Sequence, residues 1–333
     1  MSEALLRVEN MVKQFPIKQT MFDAIARKPK RYVRAVDDVS FQVGKGETVG
    51  LVGESGCGKS TLAKTICRLY APDGGKVIFD GRDMFGLSSD ELRRIRYKMQ
   101  MVFQDPYSSL NPRMTVRQML SEILSVHKLC PREERTAEEL RVLDMVGMGE
   151  NALDRYPSQF SGGQRQRINI ARALIMKPDM LIADEPVSAL DVSIQAQIIN
   201  LLIDLKNELD LTMLFISHDL RVVKYISDRV AVMYLGRIVE VGETEELYER
   251  PCHPYTDILL KAAPEVDPDG KGGEYVIHGE TPSPIDIPGG CRFHPRCPYA
   301  DELCKTKEPP LVELWPGRCV ACHHRLGGGT EPA

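Results

Sequence analysis

No apolar run in the 333 residues approaches the length needed to cross a bilayer, so this chain is not expected to supply a membrane-spanning helix. The first residues, Met1-Ser2-Glu3, lack the basic and apolar regions of a signal peptide, and the chain is therefore expected to stay in the cytosol with its cysteines reduced. Net charge is also small. A formal charge of -4 and a pI near 6.0 give no footprint for nucleic acid, and the Lys and Arg residues are dispersed. The exception, Arg27-Lys28-Pro29-Lys30-Arg31, reads as a solvated loop. What is present is ordinary apolar content in a chain long enough for a full core and roughly two structural units, such as one large domain with an appendage. The nine cysteines are uneven: Cys57, Cys67, Cys130 and Cys252 are scattered, whereas Cys291, Cys297, Cys304, Cys319 and Cys322 crowd the C-terminal tail.

The stretch Gly53-Glu54-Ser55-Gly56-Cys57-Gly58-Lys59-Ser60-Thr61 follows the apolar run Val49-Gly50-Leu51-Val52 and precedes helical spacing at Leu62, Ile66 and Leu69. A Gly-rich loop between strand and helix is what a phosphate cradle needs. Several anionic oxygens must meet several backbone N–H groups at once, and glycines let the chain curl tightly enough. Lys59 is expected to reach the β and γ phosphates, and Ser60 to hold Mg²⁺ through its hydroxyl. Cys57 reads as a small residue beside phosphate, open to alkylation.

Residues 4 to 80 alternate apolar and polar positions in short runs, such as Leu6 and Val8, or Val39, Phe41 and Val43, and read as a strand-rich layer. From Asp90 to about Gly147 the period is helical, with Val116, Met119, Leu120, Ile123 and Leu124 on one face and Leu140, Leu143 and Val146 on another. Strands at Met180 to Ala183 and Met213 to Ile216 alternate with helices at Gln164 to Met176 and Gln195 to Leu209, which implies a parallel sheet. Beyond Arg250, Pro and Gly in residues 263–270 and in Thr281-Pro282-Ser283-Pro284 argue against a regular layered core, and a boundary is placed near Pro251.

A phosphate loop alone fits kinases, GTPases, helicases and transport ATPases alike. Two further patterns narrow the choice. Met180-Leu181-Ile182-Ala183-Asp184-Glu185 is an apolar strand ending in two carboxylates: Asp184 is expected to hold Mg²⁺, and Glu185 to act as general base or water-positioning group. Ser161-Gly162-Gly163-Gln164 caps a helix whose positive dipole end points outward, a second anion-seeking surface.

With that motif the sequence resembles the ATP-binding-cassette (ABC) ATPases. The resemblance implies a P-loop NTPase (RecA-like) α/β fold: a parallel sheet core with an antiparallel β subdomain, a helical insert at about 90–163, and a small loop-rich extension. It covers about the first 250 residues. It also implies that Ser161, Gly162, Gly163 and Gln164 of one subunit close over the ATP held by Gly53, Ser55, Gly56, Cys57, Gly58, Lys59, Ser60 and Thr61 of another. Gln104, in Val102-Phe103-Gln104-Asp105, is similar to the family's Q-loop glutamine, which contacts Mg²⁺ and the attacking water. His218 is similar to the switch histidine that reaches the γ-phosphate. Ser188-Ala189-Leu190-Asp191 resembles the D-loop, with Asp191 at the dimer interface. Phe15 is the candidate for stacking on adenine and Tyr32 its rival. No Asn-Lys-x-Asp motif occurs to read guanine.

Three stretches narrow the resemblance to the ATPase subunits of dipeptide, oligopeptide and nickel importers. They are Asp105-Pro106-Tyr107-Ser108-Ser109-Leu110-Asn111-Pro112, Arg250-Pro251-Cys252-His253-Pro254-Tyr255-Thr256 and Gly279-Glu280-Thr281-Pro282-Ser283-Pro284. On this reading residues 1–250 are the nucleotide-binding domain and 251–333 the importer extension. The partners implied are a second, sister ATPase, two membrane permeases and, indirectly, an extracytoplasmic peptide-binding protein, with no nucleic acid. The chain would sit peripherally on the cytoplasmic face of the plasma (inner) membrane. Cys291, Cys297, Cys304 and Cys322 follow C-x5-C-x6-C-x17-C, and the resemblance implies a [4Fe-4S] cluster on them. The spacing alone also admits zinc, with Cys319, His323 or His324 as further ligands, or unligated thiols. A nickel or small-solute importer remains the alternative. A soluble cassette ATPase of DNA repair would need coiled-coil heptads or a basic face, which this sequence does not have.

Overall fold

The computed structural model describes residues 4–19, 29–105, 109–188, 190–262 and 281–327. Met1–Glu3, Arg27 and Lys28, Pro106–Ser108, Ala189, the Pro-rich stretch 263–270, and Gly279 and Glu280 lie outside the described residues. Two compact units divide the chain: one from Leu6–Gln42, Val49–Phe85 and His218–Ala333, the other from Met1–Leu5, Val43–Thr48 and Gly86–Ser217. The strands that cross a boundary between the two, at residues 4–16, 32–44 and 48–52, have most of their residues in the first unit.

The first unit opens with β1 (Ala4–Pro16), β2 (Tyr32–Gly44), β3 (Thr48–Val52), β4 (Gly74–Phe79) and β5 (Arg82–Asp83). Four of these form a sheet in the order β2-β1-β4-β5, with β1–β4 and β4–β5 antiparallel. The alternation read from the sequence sets the register: Leu6 pairs with Phe79 and Val8 with Val77, all buried, while Arg7 points outward. Strand β3 is buried along its whole length, as a parallel central strand requires, and it delivers the chain to the phosphate loop.

The second unit supplies β6 (Met99–Val102), β7 (Met180–Asp184) and β8 (Thr212–Ile216), which run parallel in the order β6-β7-β8. Capping boxes start the helices at Ser89–Lys98 and Val116–Val126: Ser88 pairs with Glu91, and Thr115 with Gln118. Val116, Met119, Leu120 and Leu124 are buried as expected, and so are Leu143 and Val146. Strand β6, however, interrupts the stretch of helical period. Its four residues, Met-Gln-Met-Val, are too few to display a period of two, and it is pairing with β7 that makes them a strand.

The chain then returns to the first unit with β9 (Arg229–Tyr234), β10 (Arg237–Glu243), β11 (Val312–Trp315) and β12 (Arg318–Val320). Strand β9 is parallel to β3; β10 is antiparallel to both β9 and β12, and β11 to β12. The tail is thus more regular than its Pro and Gly content suggested. Residues Pro254–Ala262 form a helix, and β12 extends the layer built on β3, β9 and β10. A buried charge pair explains the attachment. Arg318 donates through Nη2 to Glu240 at 2.6 Å, both side chains are fully buried, and the same carboxylate accepts the N–H groups of Cys252 (2.6 Å) and His253 (3.0 Å). Burial pushes the Glu240 carboxyl up, and the Arg318 charge with these hydrogen bonds works against that rise. Removing one partner of such a pair strands the other charge in a dry interior. Arg318→Ala is expected to cost about 3–5 kcal/mol, read as a lowered unfolding midpoint; an unchanged midpoint would show that the pair does not hold the tail.

Candidate functional site

The phosphate loop lies entirely within the first unit. Gly58 caps the helix Lys59–Ile66 with φ 111°, and a Cβ there would stand 2.0 Å from the carbonyl oxygen of Ala35, so only glycine fits. Lys59 is buried to 4% exposure and folds back over the loop, donating through Nζ to the carbonyls of Gly53 (2.7 Å) and Glu54 (3.0 Å). Ser60 and Thr61 follow in the first helical turn and are half-buried, whereas Ser55 and Gly56 are exposed at the loop's tip. Cys57 is buried, and burial pushes its thiol up despite the nearby Lys59 ammonium. The expectation that it is open to alkylation is therefore corrected: the reactive thiolate is disfavoured and the sulfur is covered.

Phe15, near the end of β1, packs edge-on against Tyr70 (ring centroids 5.4 Å apart), with the Lys13 ammonium 5.3 Å from its ring centre. Tyr32, its rival for adenine, begins β2 and is exposed. His218 is exposed as well, just before Asp219, which caps the helix Leu220–Ile226 by accepting from the N–H of Arg221.

Within the second unit, β7 ends at the buried Asp184. Glu185 follows in a left-handed conformation, φ 48°, which costs a non-glycine residue roughly 1–2 kcal/mol and is held only because its surroundings over-determine it. Its N–H donates to Ile216 (2.9 Å) and its carbonyl accepts from the Ser188 hydroxyl (3.1 Å). Its carboxylate Oε2 accepts from Gln104 Nε2 at 2.9 Å. The structure thus brings together two residues that sequence had linked only through separate motifs.

Ser161 is the N-cap of the helix Gly162–Leu174, in a capping box: its hydroxyl accepts from the N–H of Gln164 (3.3 Å), whose side chain accepts from the Ser161 N–H (3.1 Å). Gly163 has a packing reason to be glycine. A Cβ there would lie 2.4 Å from Ile194 Cγ2, on the helix Val192–Leu209 that starts at Asp191. Asp191 is exposed and its side chain makes no capping bond.

In the tail, Cys291 and Cys304 are joined through the backbone, the N–H of Cys291 donating to the Cys304 carbonyl at 2.8 Å. Burial pushes the Cys291 thiol up to about 11, with Cys304 and Cys297 close enough to add to the rise. Burial likewise raises Cys322 to about 12, and Cys291, Cys297 and Cys304 contribute. The four thiols thus influence one another's charge. Cys319 lies on β12, and its thiol is raised by burial and then by Glu313. Ligand atoms of Asp301, Cys304 and His324 lie within 4.8 Å of one another, a mixed set that takes in one of the four cysteines.

Three contacts on the loop residue Glu54 come from side chains that sequence patterns had not placed at the nucleotide site. Tyr255 Oη accepts from the Glu54 N–H (3.0 Å), while Thr281 and Arg296 donate to its carboxylate. Burial opposes the charge on Glu54, but the hydrogen bonds from Arg296 and Thr281 outweigh it and hold the carboxyl below its usual range. Tyr255 stood in a recognised stretch; Arg296 had no sequence signal.

The fold and this array of motifs define an ABC-type ATPase cassette. Solved relatives agree: cbiO1 from Clostridium perfringens, part of the cbiONQ ABC transporter complex, is 27% identical with a TM-score of 0.63, over 74% of this chain and 92% of that one. The bacterial ABC transporter cassette MJ0796, solved as a dimer, is 30% identical with a TM-score of 0.62, over 72% of this chain and 98% of that one. Residues 36–188 match the ABC transporter family, and residues 239–304 the oligopeptide/dipeptide transporter C-terminal region. A probable peptide ABC transporter ATP-binding protein, y4tS of Sinorhizobium fredii, is 53% identical over 98% of this chain and 91% of its own length. The oligopeptide transport ATP-binding protein AppF of Bacillus subtilis is 50% identical over 96% of this chain and 97% of its own length. The chain belongs to the ABC transporter family, among the ATP-hydrolysing subunits that carry this oligopeptide/dipeptide C-terminal region. Ser161→Ala is expected to cost about 1 kcal/mol of helix stability, read as faster hydrogen exchange at the amide of Gln164; unchanged exchange there would show that the cap contributes nothing.

Proposed function

We propose that the chain powers import of di- or oligopeptides by binding and hydrolysing ATP, with residues 1–250 as the nucleotide-binding domain, its helical part at about 90–163, and 251–333 as the importer extension. The peptide reading rests on relatives 50–53% identical over nearly the whole chain, and on the match to the C-terminal region. The hydrogen bond from Gln104 to Glu185, at the left-handed end of β7, carries the hydrolytic assignment.

In this reading the backbone amides of Gly53, Ser55, Gly56, Cys57 and Gly58 cradle the phosphates, with Lys59 neutralising their charge and Ser60 and Thr61 completing the contact. Phe15 stacks on adenine. Ser60 would offer Mg²⁺ a hydroxyl, Asp184 a carboxylate and Gln104 its amide oxygen, the kind of donor Mg²⁺ prefers, and Gln104 keeps that oxygen available by giving its N–H to Glu185. When bound, Mg²⁺ supplies charge neutralisation at the β and γ phosphates. Glu185 takes a proton from the attacking water as oxygen bonds to the γ-phosphorus, and the bond to the ADP oxygen breaks to give ADP and phosphate. His218 reaches the γ-phosphate.

Two ATP molecules are sandwiched between this chain and a second ATPase, a sister chain, with Ser161, Gly162, Gly163 and Gln164 of each closing on the other's nucleotide and Asp191 at the interface. Val192, beside Asp191, is 82% exposed, which suits a residue awaiting a partner. Two permeases carry the membrane passage and an extracytoplasmic peptide-binding protein feeds them. Among the described residues no helix is long and apolar enough to cross a membrane, in keeping with a peripheral place on the cytoplasmic face of the inner membrane. Cys291, Cys297, Cys304 and Cys322 would hold a [4Fe-4S] cluster; soft sulfur donors suit iron–sulfur, and zinc is the competitor.

Glu185→Gln is expected to bind ATP normally, to lose ATPase activity by about 10²–10⁴-fold, and to accumulate as a closed dimer in size-exclusion chromatography with ATP. Normal turnover would rule Glu185 out as the base. Protein purified without oxygen is expected to be brown and to contain iron and inorganic sulfide in the ratio of one cluster per chain; equimolar zinc without iron would overturn the cluster.

A further inference from the structure

Glu54 is the second residue of the phosphate loop, and its side chain is claimed by the C-terminal segment. Arg296 meets it as a fork, Nη1 to Oε2 at 2.8 Å and Nη2 to Oε1 at 2.9 Å, and Thr281 adds its hydroxyl to Oε2 at 2.9 Å. The pair is sheltered, with Arg296 4% and Glu54 19% exposed. A bidentate guanidinium–carboxylate pair fixes orientation as well as distance, which a lysine does not. Glu54 is also tied through its backbone: its N–H donates to Tyr255 Oη, and its carbonyl accepts from Lys59 Nζ. One residue thus links the tail to the lysine that meets the phosphates.

Arg296 is itself firmly seated. It ends the turn His294–Arg296, between Cys291 and Cys297, and its N–H donates to the Phe293 carbonyl at 3.0 Å. Phe293 is 1% exposed and packs on Tyr234 and Tyr255, with ring centroids 5.3 Å away in each case. Arg296 Nη1 also reaches Tyr234 Oη at 3.4 Å. The loop's glycines make it pliable, and a pliable cradle loses affinity to the entropy of ordering it.

We infer that Arg296 is a positioning residue for ATP: by clamping Glu54 it pre-organises the phosphate loop, so the C-terminal segment sets the chain's nucleotide affinity. The inference rests on the ATP reading above and adds a tail-borne determinant to it.

The test measures equilibrium binding of the Mg²⁺ complex of a non-hydrolysable ATP analogue to the full chain by calorimetry, and KM and kcat for ATP. Arg296→Ala is expected to raise Kd and KM by roughly tenfold, the loss of one charge-assisted contact, while kcat changes by less than about twofold. Glu54→Gln, which keeps the side chain's shape, is expected to do the same, and the double variant to be no worse than either single one. Arg318→Ala, which loosens the tail elsewhere, is expected to leave Kd within about twofold at a temperature where it remains folded. Unchanged Kd in Arg296→Ala and Glu54→Gln, additive effects in the double variant, or an equal rise in Arg318→Ala would each overturn the clamp. Failure of the unaltered chain to bind nucleotide would overturn the ATP reading and the clamp with it, whereas tight binding by every variant overturns the clamp alone.

Discussion

A phosphate loop must keep most of its amides free of an internal ladder to receive an anion, and that constraint governs much of this chain. Residues 53–58 cannot be held by a ladder of internal hydrogen bonds, because the N–H groups such a ladder would use are the ones the phosphates need. Support has to come from carbonyls and side chains instead. Lys59 Nζ ties the carbonyls of Gly53 and Glu54 together, the N–H of Gly236 donates to the carbonyl of Cys57 at 2.8 Å, and Arg296 secures Glu54. The carbonyls of Gly53, Glu54 and Cys57 and the carboxylate of Glu54 are groups that an anion does not compete for, whereas Lys59 Nζ is shared between the loop and the phosphates.

The same economy explains a tail rich in Pro and Gly but held by buried charges. A short segment of this composition has few apolar side chains to bury beyond Tyr255, Ile258, Phe293 and Val320, so ion pairs share in its attachment. Arg318 with Glu240, Arg292 with Asp37 and Arg296 with Glu54 are three such pairs, and in all three the arginine belongs to the tail. Each joins the tail to a residue before Pro251. Buried pairs of this kind add little net stability over an apolar contact, but they are unforgiving of misplacement, since any other register leaves a charge without a partner. They specify where the tail lies more than they strengthen it.

The elements of strong period were legible in the sequence. Buried strands β7 and β8, the capped helix at Ser161 and the face of Val116–Val126 all follow from local pattern and capping chemistry. The nucleotide motifs were legible for a different reason: phosphate chemistry dictates residue types at fixed spacing. What was not legible depends on contacts between residues far apart in the chain. Strand β6 is too short to announce itself, and β12 owes its place to Glu240, 78 residues before Arg318. The Arg296 clamp spans 242 residues and joins two charged side chains that, in sequence, look like solvated ones. Glu185 was readable as a carboxylate at a strand end, but not its left-handed backbone, which the hydrogen bonds to Ile216 and from Ser188 impose.

Glycine at the helix start shows how one sequence feature can serve two demands. The paired glycines after Ser161 read as exposed amides for an anion, and Gly162 and Gln164 are indeed in the first turn of a capped helix. Gly163, however, is buried, and its missing Cβ is filled by Ile194. Any side chain there would push apart the helix that begins at Ser161 and the helix that begins at Asp191. The two N-termini are therefore spaced by a backbone contact that cannot slacken without opening a void, and close-packed contacts of this sort transmit displacement instead of absorbing it. A partner subunit that moved Asp191 would move Ser161 with it, so the residues assigned to the interface and those assigned to the partner's nucleotide form one mechanical piece.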